Sequence, residues 1–180
     1  MKNSNDVRKV FLQIALVATV FGITSFRLVD NSTKDQVFVD RAARVSLEEI
    51  TLGELALQKS TANEVKELGK MMAQSHRQSL NDLTTLTKKK LITVPSTPPQ
   101  STYEAYKNLN GKSASNFDKA YCAMVISGHK NAIVLFENAS KDSSDTTIRE
   151  WAMATLPILQ KHLDHAVTCQ MKCEKIQGRP

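Results

Sequence analysis

FDKAYCAMVISGHKNAIVLFE, from Phe117 to Glu137, reads as one long amphipathic helix. Asp118, Tyr121, Val125, His129, Ala132 and Phe136 recur at steps of three and four, which lines them along a single helical face. His129 stands in the middle of that largely apolar stripe. An unpaired imidazole in a core is costly, so its neighbours must supply polar partners.

Three other long segments carry the same period. Residues 34–59 place Phe38, Ala42, Val45, Glu49, Leu52 and Ala56 on one seam, with Glu49 interrupting it. Thr61 and Glu64 have capping-box spacing and start a second helix, expected from Ala62 to Lys90, with Val65, Gly69, Met72, His76, Leu80, Leu83 and Leu86 facing inward. Lys88, Lys89 and Lys90 fit a solvated helix end that favours cations. A second capping-box pattern, Ser115 to Asp118, opens the helix that holds His129, so Asp118 is most simply a cap. After the polar turn from Asp142 to Asp145, a last helix is expected to run to Lys172, with Ile148, Ala152, Leu156, Leu159, His162, Ala166 and Cys169 inside. Pro157 lies within it, where a lost backbone bond predicts a kink one turn before His162.

Leu91 to Lys112 is the one long interruption. Pro95, Pro98 and Pro99 forbid continuous helix there, while TYEAYKNLN allows a short helical piece. A connection of that length can cross a whole bundle and leave the helices on either side of it parallel. No run alternates with the period of two expected of exposed strands. The expectation is an all-α fold, a four-helix bundle over residues 34–173 with a long proline-containing connection and a short tail over 174–180.

The formal charge is +6, and half of it belongs to residues 1–27. The remaining charges interleave both signs, as on a solvated surface, so nucleic acid is not an expected partner. Lys2, Arg8 and Lys9 precede an apolar run from Val10 to Phe26, the pattern of an export signal or a retained membrane anchor over residues 1–30. No cysteine follows the run, which closes the acyl-anchored lipoprotein route. Under either outcome the rest of the chain is exported to the periplasm or cell envelope, with membrane association through the N-terminal segment.

Counted from the turns, Glu49, His76, His129 and His162 all fall near mid-helix, within about two turns of one another along the axis. Three imidazoles and a carboxylate suit one divalent transition metal: zinc, iron, manganese or copper. The competing reading is a metal-free hydrogen-bonded network in a non-catalytic structural or stress-related interaction protein of the envelope. Asp118, Tyr121 and His165 are candidates for supporting the four ligands from behind.

The segments FVDRAARVSLEEITLGELALQ, VKELGKMMAQSH, NFDKAYCAMVISGHKNAIVLFE and TLPILQKHLDHA, in that order, resemble the bacterial domain of unknown function 4142 family. The resemblance covers Gln36 to Ala166 and implies a ferritin-like bundle in the cell envelope, with no established activity. Its motif positions fall on Glu49, His76, Asp118, Tyr121, His129, Pro157 and His162; Ser75 departs from the acidic residue usual there. Ferritin-type di-iron chemistry needs Glu-x-x-His pairs, yet Ala73, Ile126 and Leu159 stand three residues before the core histidines. The sequence also lacks a nucleophile–base pair, a phosphate loop and a cofactor fingerprint, so the reading leans away from an enzyme.

Cys122, early in its helix, and Cys169, late in the next, fall near the same bundle end, which makes a disulfide between them one expectation. Cys169 and Cys173 could instead hold a soft metal, a weak signal without a nearby histidine. Met71, Met72, Met124 and Met153 read as core filler.

Overall fold

The computed structural model describes residues 34–177; the signal or anchor expected over residues 1–30 lies outside them. Within the described residues the chain forms five helices and no strand. We number them α1 (34–59), α2 (Asn63–Thr87), α3 (Gln100–Asn110), α4 (Ala114–Asp142) and α5 (Thr146–Gln177). The last helix therefore continues past residue 173, where a tail was expected, and it runs without interruption through Pro157. None of the described helices is long and apolar enough to cross a membrane.

Polar clamps at the two ends fix the order of the helices. At one end the Ser60 hydroxyl, in the α1–α2 turn, donates to Asp118 of α4 at 2.6 Å and accepts from the Ala62 amide. At the other end Asp35 of α1 accepts from the Ser143 and Ser144 hydroxyls and from the Ser144 and Asp145 amides of the α4–α5 turn. Asp145 in turn caps α5 through the Thr147 and Ile148 amides and pairs with Lys90. The connection leaves α2 at the Asp145 end and delivers α4 from the Ser60 end, with α3 packed on α4. Thus α2 and α4 run parallel, as a crossover requires.

These clamps correct several expectations. The N-cap of α2 is Ala62 and that of α4 is Ser113, neither making a side-chain capping bond, so the two capping boxes do not form as read. Asp118 is not a cap; it is buried and pins one helix to another's turn. Lys90 is not merely solvated, since it meets Asp145. Met153 is 61 % exposed and fills no core.

The apolar interior falls into two clusters. One, near the Ser60 end, gathers Leu55, Leu68, Leu109, Phe117, Tyr121 and Val125. The other, near the Asp35 end, gathers Phe38, Leu83, Phe136, Ile148 and Leu159, with the Phe38 and Phe136 rings edge-on at 5.2 Å. His76, His129 and His162 lie between them along their helices, so a polar layer divides the core.

Between α1 and α2 the packing is unusually close. A Cβ built on Gly53 would stand 2.6 Å from the Gly69 carbonyl oxygen, and one on Gly69 would stand 2.7 Å from the Gly53 oxygen. Both obstacles are backbone and cannot swing aside. Alanine normally stabilises a helix interior relative to glycine by roughly 1 kcal/mol, but here the overpacking, about 1–3 kcal/mol, opposes it. Gly53→Ala and Gly69→Ala are each expected to lower the stability measured by chemical denaturation, and an unchanged or raised midpoint would contradict the close crossing.

Candidate metal centre

His76 on α2, His129 on α4 and His162 on α5 bring their rings together at the dividing layer, with centroids 5.3–5.5 Å apart and all three side chains buried. His129 is the hub. Its Nδ1 lies 2.9 Å from the Val125 carbonyl, one turn back on its own helix. A carbonyl can only accept, so Nδ1 carries the proton and Nε2 turns its lone pair toward the other rings. That Nε2 stands 3.4 Å from His76 Nε2 and 3.3 Å from His162 Nδ1. One ligand nitrogen from each of the three lies within 4.8 Å of the others. Three nitrogens bound to one ion at about 2.0 Å would stand about 3.3 to 3.5 Å apart. The spacing across the hub is already that of a coordination shell.

The electrostatics match. Burial holds all three imidazoles below their ordinary value, His162 at about 4 and His76 further lowered by His129 and His162. For His129 the Val125 bond offsets only part of the burial effect. The centre is therefore neutral near pH 7, and neutral imidazole is the form that binds metal. His76 Nδ1 is buried with no hydrogen-bond partner, so a purely hydrogen-bonded network at this layer leaves a group unsatisfied.

Glu49 does not join the three rings. Its Oε1 lies 3.4 Å from His129 Nδ1, behind the ring and opposite the nitrogen that faces His76 and His162. The expectation of a four-ligand set is corrected on this point: counting from turns gave Glu49 the right height, and the rotation of α1 puts it on the α1–α4 side. Burial first, and then Glu48, raises the Glu49 carboxyl to about 8, so the contact with His129 at neutral pH joins two uncharged groups. Gly128 makes room for this carboxyl, since a Cβ there would stand 3.3 Å from Oε1. Sequence reasoning passed over Gly128; the signal was a glycine in a helix interior beside the hub histidine. Tyr121 stacks on Phe117, and its buried hydroxyl, without a partner, borders a small cavity of about 60 Å3 shared with Glu49. His165 is exposed and turns away from the centre, its Nδ1 3.1 Å from Met71 Sδ. Asp118 sits at the Ser60 clamp, with no part in the centre.

Access is one-sided. His76 and His162 both line a groove between α2 and α5, and His162 lines a second one with Met71 and Pro157. Both grooves open on the α2–α5 face.

The three nitrogens, buried in a crossover helical bundle, could hold a metal ion. The chain belongs to the family described as Domain of unknown function (DUF4142), whose pattern matches residues 29–169. No curated protein is significantly similar in sequence. Among solved structures, CopM in the Cu(II)-bound form is similar in fold, with a TM-score of 0.64 at 16 % identity, over 77 % of this chain and 96 % of that one.

The shifts set a pH dependence for the metal-free protein. Glu49 keeps its proton to about 8 when folded and loses it near 4.5 when unfolded, so its contribution to stability falls as pH rises between those values. The histidines act oppositely: the folded state binds fewer protons, so stability falls as pH drops below about 6.5. In denaturant titrations without metal, Glu49→Gln should gain stability relative to the parent as pH goes from 5 to 8. A difference that does not vary with pH would refute the buried, protonated carboxyl.

Proposed function

We propose that this is a copper-binding protein of the cell envelope, in which His76, His129 and His162 hold one copper ion. The observation that carries the reading is the 3.3 and 3.4 Å spacing of neutral ring nitrogens around His129 Nε2, with that ring's tautomer fixed by Val125. An all-nitrogen set suits copper or zinc over the harder ions that prefer carboxylates. The Cu(II) held by CopM, a protein of similar fold, favours copper between the two. Glu49, its Oε1 3.4 Å from Nδ1 on the far side of the hub ring, packs against that ligand from behind. The crossover order of helices supports a ferritin-like bundle without di-iron chemistry. The basic, apolar N-terminal segment supports export.

The metal-free alternative, a polar layer that only fixes helix register, is disfavoured because the single lone pair of His129 Nε2 cannot accept from both His76 and His162. Protein purified without a tag and stripped of metal should take up one equivalent of Cu(II) with nitrogen hyperfine structure in its paramagnetic resonance spectrum. Removal of an outer hydrogen-bond partner typically costs 10–100-fold in metal affinity, so loss of a ligand in His129→Ala should cost more than about 100-fold. Copper bound equally well by His129→Ala and His162→Ala variants would overturn the reading.

A further inference from the structure

Seven residues before His129 on α4 stands Cys122, and seven after His162 on α5 stands Cys169. Two helical turns, roughly 10 Å, thus separate the nitrogen layer from a second cluster on the same seam, with Val125 and Ala166 buried between. Cys173, one turn beyond Cys169, completes it. These are all the cysteines of the chain, all buried, and their three sulfurs lie within 4.8 Å of one another. The Cys122 and Cys169 sulfurs are 3.4 Å apart and not bonded, so the disulfide expected from the sequence gives way to a three-thiol cluster.

We infer that Cys122, Cys169 and Cys173 form a second metal site, a three-sulfur pocket for a soft monovalent cation such as copper(I), reached through the cleft between α2 and α5. Three sulfurs around one ion at about 2.3 Å would stand about 4 Å apart, a spacing bracketed by the 3.4 Å pair and the 4.8 Å limit of the trio. Thiolates select soft ions. A set of three suits trigonal copper(I), whereas structural zinc takes four protein ligands. On binding, each S–H bond is exchanged for a sulfur–metal bond and its proton passes to water. The Cys122 thiol donates to the Cys169 sulfur, which brings these two ligands together before any ion arrives.

The approach is built in as well. A cleft of about 510 Å3 between α2 and α5 has Cys169 in its lining, with Met71 and His165 beside it and two acidic side chains, Glu64 and Glu67, against one basic, Lys172. The Met71 thioether and His165 imidazole touch at 3.1 Å, two donors on the path of an incoming soft ion. Met71 also borders the groove that His162 lines, so the sulfur and nitrogen centres lie behind one face.

The test uses the full chain, reduced and kept anaerobic, titrated with copper(I) in competition with bicinchoninate. A thiolate-to-copper charge-transfer band should grow to one equivalent, and the three cysteines should become resistant to iodoacetamide. His129→Ala should keep the band, which separates this site from the nitrogen centre and its Cu(II) signal. Cys169→Ser should lose it; Cys173→Ser, near the end of α5 where folding is least at risk, should weaken it at least tenfold. Thiols alkylated equally fast with and without copper(I), or a band that survives both serine variants, would overturn the inference.

Discussion

A hydrogen bond within one helix turn, from His129 Nδ1 to the Val125 carbonyl, sets the chemistry of the whole interior. It decides which nitrogen of the hub ring bears a proton and so which one offers a lone pair to α2 and α5. Without it the ring could present a proton to His76 and His162 and the three nitrogens would compete for hydrogen bonds. With it, three uncharged rings from three helices share one small volume that burial keeps neutral. Buried imidazole is tolerable here because it is uncharged and because the hub is satisfied; the remaining debt is concentrated on His76 Nδ1.

That arrangement needs helices held in exact height, and the ends of the bundle supply it. Asp35 gathers four donors from a turn more than 100 residues away, and Ser60 binds Asp118 across another long separation. Hydrogen bonds to a carboxylate are about twice as strong as neutral ones, so each clamp resists sliding of α1 against α4 and α5. The two apolar clusters between the clamps add bulk on both sides of the histidine layer. Register is thus fixed by polar contacts, and cohesion comes from apolar ones.

Much of this was legible in the sequence. The three- and four-residue steps gave the long helices, the prolines gave the crossover, and counting from the turns brought His76, His129 and His162 to one height. Height is only one coordinate. The rotation of each helix about its axis depends on packing, which is why Glu49 stands behind the hub ring and Met153 faces solvent. Asp118 fits a local capping pattern, but a partner 58 residues away claims its carboxylate. Asp35 gave no local sign, since its partners lie in a distant turn. The pairing of Cys122 with Cys169 followed from antiparallel helices, whereas the entry of Cys173 into the same cluster required the actual facing of α5.

The paired glycines at the α1–α2 crossing also determine where the interior can exchange material with its surroundings. Side chains usually hold helix axes 8–10 Å apart, and with none at Gly53 or Gly69 the two backbones touch. At that crossing α1 and α2 form a closed wall. The grooves reaching His76, His162 and Cys169 all lie on the neighbouring wall, where α2 faces α5. The smallest residues in the protein thereby leave α2 with one closed flank and one open one.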